Sequence, residues 1–591
     1  MRRIFKMLTF AFLPFLLATG CDTKKPASST LPMTIAYDAR NKKEASAAFA
    51  PHVVFGAKTD AIQGMYIQSK EDVDTLLTKE TAAALVAVTP ENAQWLIEAK
   101  KAQPELRGLV DFSATARPMT RDELAEVVSK TNGSGAKIAL LSCESANRES
   151  VRYLQSRLIT VWVRTADDLK NTLTQLTNGA NGIMTDNPAV MAEALSLLAA
   201  DVPTLLRPPM IIAHRGMPSG FIENTLRSEL AGAAAGAELL EYDIRLSADD
   251  EIFVLHDKSM ERLFNRPDIE DVEKLTLKEL QAIPFDRDSA NGVQSRNHTR
   301  AKDAPSGSIS IADEDRIPSL RELFELFKDS DVGHLIEIKT ANPAIVPKFK
   351  ALAEEYGMDK KMAVITFNVP ILTAMAEFWP EMSLGCLGYD NAVQKRQKEG
   401  KTLDPTVELP YANHAQGTPR EAALALNRII SPYNGTYNPS HAELTRTMVE
   451  ESRHYGITAW PWTYNTPETF AKDYLFDMNG LTTNFAFWAS DLPTFLTASD
   501  GEMAVGGTLP VYGLFAPVLL TRTGEKSLTD GAEIVLVSGG DLLKIEGDKL
   551  IAKARGTAVF MLRTRIPLTF DGKNYGAYYL YSNPVSLGIS D

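Results

Sequence analysis

Between Thr34 and Leu496 the chain repeats one pattern, a short apolar run followed by a segment with helical spacing. Apolar runs separated by helices mark parallel strands buried on both faces, which restricts the fold to an α/β sheet or barrel. In the first stretch the runs include Thr34–Tyr37, His52–Phe55, Met65–Ile67, Ala84–Val88, Gly108–Phe112, Lys137–Leu141, Leu158–Val163 and Gly182–Thr185. They predict a small α/β barrel-like domain over residues 34–205, compact beside the roughly 250 residues of a typical (β/α)8 unit. A second stretch, 206–496, carries Pro209–Ala213, Leu239–Ile244, Ile252–Leu255, His334–Ile338, Met362–Ile365, Ser383–Gly385, Ile429–Ile430 and Ile457–Trp460. Its length and alternation predict a TIM (β/α)8 barrel with reactive groups at the C-terminal strand ends.

An echo links the two stretches. Ile159-Thr160-Val161-Trp162 precedes Gly182-Ile183-Met184-Thr185, and Ile457-Thr458-Ala459-Trp460 precedes Gly480-Leu481-Thr482-Thr483, each pair offset by 23 residues. Both resemble the last two βα units of a barrel, so the first domain reads as a duplicated, degenerate copy. From Gly501 to Asp591 the pattern changes to short strand-like runs between Gly-rich turns, which predicts a β-sandwich. Its segment Leu542–Phe560 looks like the hairpin of bacterial immunoglobulin-like domains. The predicted architecture is thus α/β, a TIM barrel preceded by a smaller barrel-like domain and followed by a β-sandwich.

The 591 residues hold 62 Lys+Arg against 75 Asp+Glu, a net charge of −13 with no long basic block, which argues against a nucleic-acid partner. Three Cys lie far apart, so neither a disulfide framework nor a thiolate zinc site is expected. Arg2, Arg3 and Lys6 precede the apolar run Met7–Leu17 and then Leu17-Ala18-Thr19-Gly20-Cys21, the layout of a secretory signal over 1–21. Its end resembles a bacterial lipobox, which implies lipidation of Cys21. The polar segment 22–33 reads as a tether to a membrane surface outside the cytoplasm.

Reactive side chains concentrate in the second stretch. His214-Arg215-Gly216 ends its first strand, Glu223-Asn224-Thr225 opens a helix, Glu241-Tyr242-Asp243 lies on the next strand and His256-Asp257 follows Ile252–Leu255. Glu241 and Asp243 are two apart on a strand and share a face, where two carboxylates repel unless a cation separates them. Glu337 supplies a third oxygen donor, and an all-oxygen set suits Ca²⁺ or Mg²⁺. Arg215 and Lys339 add fixed positive charge for a phosphate. His214 and His256 can act on opposite sides of the phosphorus, one taking and one giving a proton.

The ordered set His214-Arg215-Gly216, Glu223-Asn224-Thr225, Glu241-Tyr242-Asp243, His256-Asp257, Ile317-Pro318-Ser319-Leu320 and Glu337-Ile338-Lys339 resembles the glycerophosphodiester phosphodiesterase family over about Pro209 to Leu496. The resemblance implies hydrolysis of glycerophosphodiesters to glycerol 3-phosphate and an alcohol with a divalent cation. By motif it makes His214 and His256 the acid/base pair, Glu241, Asp243 and Glu337 metal ligands, Arg215 and Lys339 phosphate contacts, and Trp462 a pocket wall. Departures are Ile222 for the usual Pro, Asp249-Asp250 for the Asp-Gly turn, Arg262-Leu263-Phe264-Asn265 for the Arg-Thr-Thr segment, and Thr483-Asn484 for Thr-Asp. The alternatives are a phosphodiesterase acting on lysophospholipids, phosphoinositides or glycerol phosphate polymers, and a surface binding lipoprotein with a silent barrel. The polar stretch from Asp286 to Asp315 shows neither helix nor strand pattern and reads as a loop near the substrate.

Overall fold

The computed structural model describes residues 33–41, 50–57, 60–78, 85–199, 202–291, 309–388, 400, 406–407, 409, 417–476 and 478–591. The signal-like leader, Cys21, most of the tether, His298 and His414 lie outside the described residues.

The first stretch closes on itself. Its strands are β1 (Thr34–Asp38), β2 (Val53–Phe55), β3 (Ile62–Tyr66), β4 (Leu85–Val88), β5 (Arg107–Asp111), β6 (Ile138–Ser142), β7 (Thr160–Arg164) and β8 (Gly182–Thr185). Each pairs in parallel with the next, and β8 pairs with β1, so the small domain is a complete eight-stranded barrel. Short strands, nearly all buried from end to end, let eight of them close within few residues.

The second stretch forms β9 (Met210–His214), β10 (Leu239–Leu246), β11 (Ile252–Val254), β12 (Gly333–Ile338), β13 (Met362–Thr366), β14 (Leu384–Gly388), β15 (Gly435–Pro439) and β16 (Gly480–Thr483). The parallel path runs β15-β14-β13-β12-β10-β9-β16. Bridges from Tyr437 to Ala459, Ser440 to Trp462 and Tyr464 to Thr483 insert residues 459–464 between β15 and β16 as the seventh barrel strand. Two expectations change here. Ile429–Ile430 ends the helix Pro419–Ile430 rather than forming a strand, and the sixth barrel strand is the polar Gly435–Pro439, whose burial comes from its neighbours and not from its composition. Ile252–Val254 lies antiparallel to β10 as a hairpin, not as a βα unit. In that turn Asp250 takes φ +65°, the conformation that the customary glycine adopts without strain and that Asp tolerates better than most residues. Residues 287–291 of the expected loop are helical, with the Asp286 carboxylate accepting from the Ser289 amide at 2.7 Å.

The echo has a packing counterpart. Trp162 and Trp460 sit over Gly182 and Gly480 respectively. A Cβ on either glycine would come within 2.7 Å and 2.4 Å of the ring. Each barrel thus trades a side chain at the start of its last strand for the indole of the strand before it.

The two barrels meet floor to floor. Thr160 Oγ1 donates to the Gly456 carbonyl at 2.8 Å, Thr34 Oγ1 to Arg453 O at 3.0 Å and Asn434 Nδ2 to Ala136 O at 2.6 Å. Arg107, 1% exposed at the start of β5, reaches the carbonyls of Gly435, Tyr455 and Gly456, and Leu158 joins the core formed by Met210, Ile212, Leu239 and Leu335. Helix C-termini gather at a barrel floor and carry partial negative charge, so buried Arg107 and Lys137 offset the opposition of two such floors. The consequence for function is geometric: the mouths of the barrels face away from each other, and the small barrel cannot cover the site of the large one.

From Phe495 onward the chain forms three sheets dominated by antiparallel pairs, including the long strand Gly556–Phe570. This β-rich part braces both barrels. The Leu205 amide donates to Tyr579 O and the Tyr579 amide to Pro203 O, while Phe570 packs on Trp488 and Phe470.

Candidate active site

The site is built at the C-terminal ends of β9, β10 and β12. Register sets Glu241 beside His214 and Asp243 beside Glu337. At the end of β9 the chain must turn sharply: Arg215 and Gly216 take φ of +54° and +80°. Gly216 is required there, since a Cβ would fall 2.4 Å from the backbone of Ser228. The turn lets the Arg215 amide donate to Glu241 at 3.0 Å and swings the Arg215 guanidinium towards Glu223 (2.7 Å) and Asp243 (3.3 Å).

The Glu-Asn-Thr segment does three separate things. Thr225 caps the helix Leu226–Ala234 by accepting from the Ser228 amide. Asn224, at φ +58°, clamps Asp243 with Nδ2 donating to its carboxylate at 2.8 Å and Oδ1 accepting from its amide at 3.3 Å. Glu223 binds both Arg215 and Arg262. Arg262, in the segment where the sequence departs from the family pattern, also pairs with Asp257, so one arginine ties the Glu-Asn-Thr turn to the second histidine.

Ligand atoms of Glu241, Asp243 and Glu337 lie within 4.8 Å of one another, and the residues are 2%, 1% and 7% exposed. Lys339 pairs with Glu337 at 2.6 Å and Asp243 at 3.4 Å. Five carboxylates, counting Glu223 and Asp257, face Arg215, Arg262 and Lys339, a formal surplus of two negative charges. Burial, then Asp243 and Glu337, raise Glu241 well above the usual carboxylate range. Burial also opposes charge on Asp243, but Lys339 and Arg215 overcome it and hold that carboxyl low. Such a set is relieved by a proton on Glu241 or by a divalent cation among the three oxygens, and its all-oxygen chemistry fits a hard ion.

Both histidines are anchored through Nδ1. His214 Nδ1 contacts Asn484 Oδ1 at 2.6 Å, and His256 Nδ1 contacts Asp257 Oδ1 at 2.7 Å. Since amide and carboxylate oxygens only accept, each Nδ1 carries hydrogen and each Nε2 is left for the substrate. Burial first, then the Arg215 charge, lower His214 to about 3 and His256 to about 4. A cavity of about 150 Å³ is lined by His214, Arg215, Glu241, His256, Glu337 and Lys339 on one side, with Phe367, Leu387, Asn438 and Trp462 among the residues opposite.

Eight residues expected from sequence, His214, Arg215, Glu241, Asp243, His256, Glu337, Lys339 and Trp462, therefore converge here. Arg215 and Lys339, expected on a phosphate, are paired with carboxylates. Glu223, Asn224 and Asp257 stand in the motifs quoted above without an assigned role, Arg262 and Asn484 appear there only as departures, and Asn438 carries no sequence signal. Residues 214–486 match the Glycerophosphoryl diester phosphodiesterase family. The matched stretch is the central barrel that carries the site described above. The glycerophosphodiester phosphodiesterase of Caldanaerobacter subterraneus is 23% identical over 278 residues, 46% of this chain and 93% of the relative. A lysophospholipase D of Homo sapiens is 26% identical over 148 residues, 25% of this chain and 42% of the relative. A solved Oleispira antarctica phosphodiesterase in complex with sn-glycerol-3-phosphate is 17% identical with a TM-score of 0.35, covering 47% of this chain and 94% of that one.

The mouth of the small barrel differs in kind. Asp38 ends β1 and Arg164 ends β7, as His214 ends β9 and Trp462 lies in the seventh strand of the large barrel. Arg164 pairs with Asp38 at 3.0 Å and Asp111 at 3.4 Å, and Tyr66 donates to Asp111 at 2.7 Å. Charged groups there satisfy one another, and the histidine and carboxylate set of the large barrel has no counterpart among the described residues.

Proposed function

We propose that this protein hydrolyses glycerophosphodiesters to glycerol 3-phosphate and an alcohol, using a divalent cation, Ca²⁺ or Mg²⁺, held by Glu241, Asp243 and Glu337. The observation that carries the reading is the convergence of three buried carboxylates and two Nδ1-anchored histidines at one barrel mouth within the family-matched stretch. The cation, when bound, would neutralise the phosphate and the charge that develops on it. Lys339 and Arg215 stand beside the same carboxylates, and binding of the cation there would free their charge for the phosphate oxygens.

The two histidines differ in support, which assigns their roles. Burial and Arg215 oppose charge on both rings, but His256 is backed by the anionic Asp257 and is the more readily protonated of the two, so it is the acid that protonates the leaving alcohol oxygen. His214 is backed by the neutral Asn484, so its free Nε2 is the base that takes the proton of the attacking oxygen. The test is release of glycerol 3-phosphate from a panel of glycerophosphodiesters and lysophospholipids, with and without chelator, in wild type, His214→Ala and His256→Ala. Purified protein that binds no divalent cation and cleaves no phosphodiester would sink the reading.

The same proposal locates the enzyme at a bacterial membrane outside the cytoplasm, anchored through Cys21. Its support is the leader Met1–Gly20 and the Leu-Ala-Thr-Gly-Cys end. No helix of the described residues is long and apolar enough to cross a membrane. Cys21→Ala should move the protein from the detergent-soluble membrane fraction to the aqueous one, and an unchanged distribution would count against the anchor.

A further inference from the structure

The cavity has two unlike halves. The charged half belongs to β9, β10, β12 and the turn after β11, whereas the half from β13 to the seventh strand is largely apolar, with Phe367, Leu387 and Trp462 among its walls and Asn438 and Thr463 as its polar side chains. Asn438 is only 1% exposed, yet it lines the cavity. Its Oδ1 is committed: Thr436, two residues earlier on the same face of β15, donates its hydroxyl to it at 2.7 Å. Room for that arrangement comes from Gly385 on the adjacent β14, where a Cβ would stand 2.6 Å from Asn438 Oδ1. The backbone is fixed as well, with Trp462 Nε1 donating to the Asn438 carbonyl at 2.9 Å.

With Oδ1 held, the Nδ2 group has no acceptor among the described residues, although it is not sealed from the cavity. A nearly buried amide donor that three neighbours orient and none satisfies is a recognition group. Glycerol presents carbon on its faces and hydroxyl oxygens at its edges, and this half of the cavity presents aromatic and aliphatic walls around a donor.

We propose that Asn438 Nδ2 donates to a hydroxyl oxygen of the glycerol moiety and sets the preference for glycerophosphodiesters over diesters that lack glycerol, with Thr436 and Gly385 as positioning residues. This rests on the phosphodiesterase reading above. The experiment measures kcat/KM of the full chain with its divalent cation on glycerophosphocholine and on bis(p-nitrophenyl) phosphate, and follows the ratio of the two. Asn438→Leu should lower the ratio by about 30-fold or more, because a site built to bond a hydroxyl discriminates through that bond. Thr436→Val, which removes no atom from the cavity lining, should shift the ratio in the same direction by about 3–10-fold, mostly through KM, as the amide loses its tether. If Asn438→Leu fails to fold, Thr436→Val and Gly385→Ala carry the test. A ratio unchanged in folded variants overturns the role of Asn438 alone, whereas a wild type that cleaves neither diester overturns the parent reading.

Discussion

The asymmetry between the histidines makes a prediction that depends on the leaving group. Removing a general acid should matter in proportion to how badly the departing oxygen needs a proton. His256 Nδ1 lies 2.7 Å from Asp257, a charge-assisted contact of the kind that supports an imidazolium, while His214 Nδ1 faces the neutral amide oxygen of Asn484 and the nearest carboxylate, Glu241, stands 4.0 Å from its Nε2. A positioned acid contributes about 10²–10⁴-fold, which is about 3–5 kcal/mol of transition-state stabilisation. His256→Ala should therefore lower kcat/KM by about 10²–10⁴-fold on glycerophosphocholine, whose leaving alkoxide is poor. On glycerophospho-p-nitrophenol, whose leaving oxyanion is stable, the loss should shrink to about tenfold or less. His214→Ala should cost a similar factor on both substrates, since the attacking oxygen is the same. The assay is steady-state release of glycerol 3-phosphate at saturating divalent cation. Equal losses for His256→Ala on the two substrates, or the larger leaving-group dependence in His214→Ala, would refute the assignment and the argument from Nδ1 partners with it.

Metal ligation can be read apart from catalysis: Ca²⁺ or Mg²⁺ should raise the Tm of wild type but not of Asp243→Asn, and a chelator should reverse the rise. Glu229, fully buried on the helix behind β10 with neither carboxylate oxygen hydrogen-bonded among the described residues, is raised well above 4.5 by burial and then by Glu241 and Asp243. Its stabilising contribution is complete below about pH 4.5 and is lost as pH rises through the raised folded value, so Glu229→Gln should flatten the fall in Tm across that range. Gly182→Ala places a methyl 2.7 Å from Trp162 and should cost about 1–3 kcal/mol by urea denaturation with kcat/KM retained. The matching Gly480→Ala pushes on Trp460, which lines the cavity, and should lower both stability and kcat/KM.

Alternation of apolar runs with helical spacing was enough to read two successive α/β barrels and a β-rich tail, because strand burial in a parallel sheet is written directly into composition. It failed where burial is imposed from outside. Gly435–Pro439 is polar and reads as a loop, yet β14 and residues 459–464 enclose it, whereas the apolar Ile429–Ile430 completes a helix. The two histidines, three carboxylates, Arg215 and Lys339 were legible because strand ends of a barrel converge and because spacing by two keeps side chains on one face, whereas Trp462 was legible only through the family resemblance.

What the chain alone determines, then, is the set of reactive groups and the kind of scaffold that gathers them, since both follow from local periodicity. The partners of those groups were decided only by folding. Asp257 is adjacent to His256 in sequence, but Asn484 reaches His214 from 270 residues away, and Arg262 joins Glu223 to Asp257 across separate turns. The same holds for the floor-to-floor seam, where Arg107 finds carbonyls more than 320 residues distant. Hydrogen bonds of this range carry no periodic signal. They exist because barrel closure fixes the distances between strand ends, and a buried charge or donor must then take whatever acceptor that closure supplies.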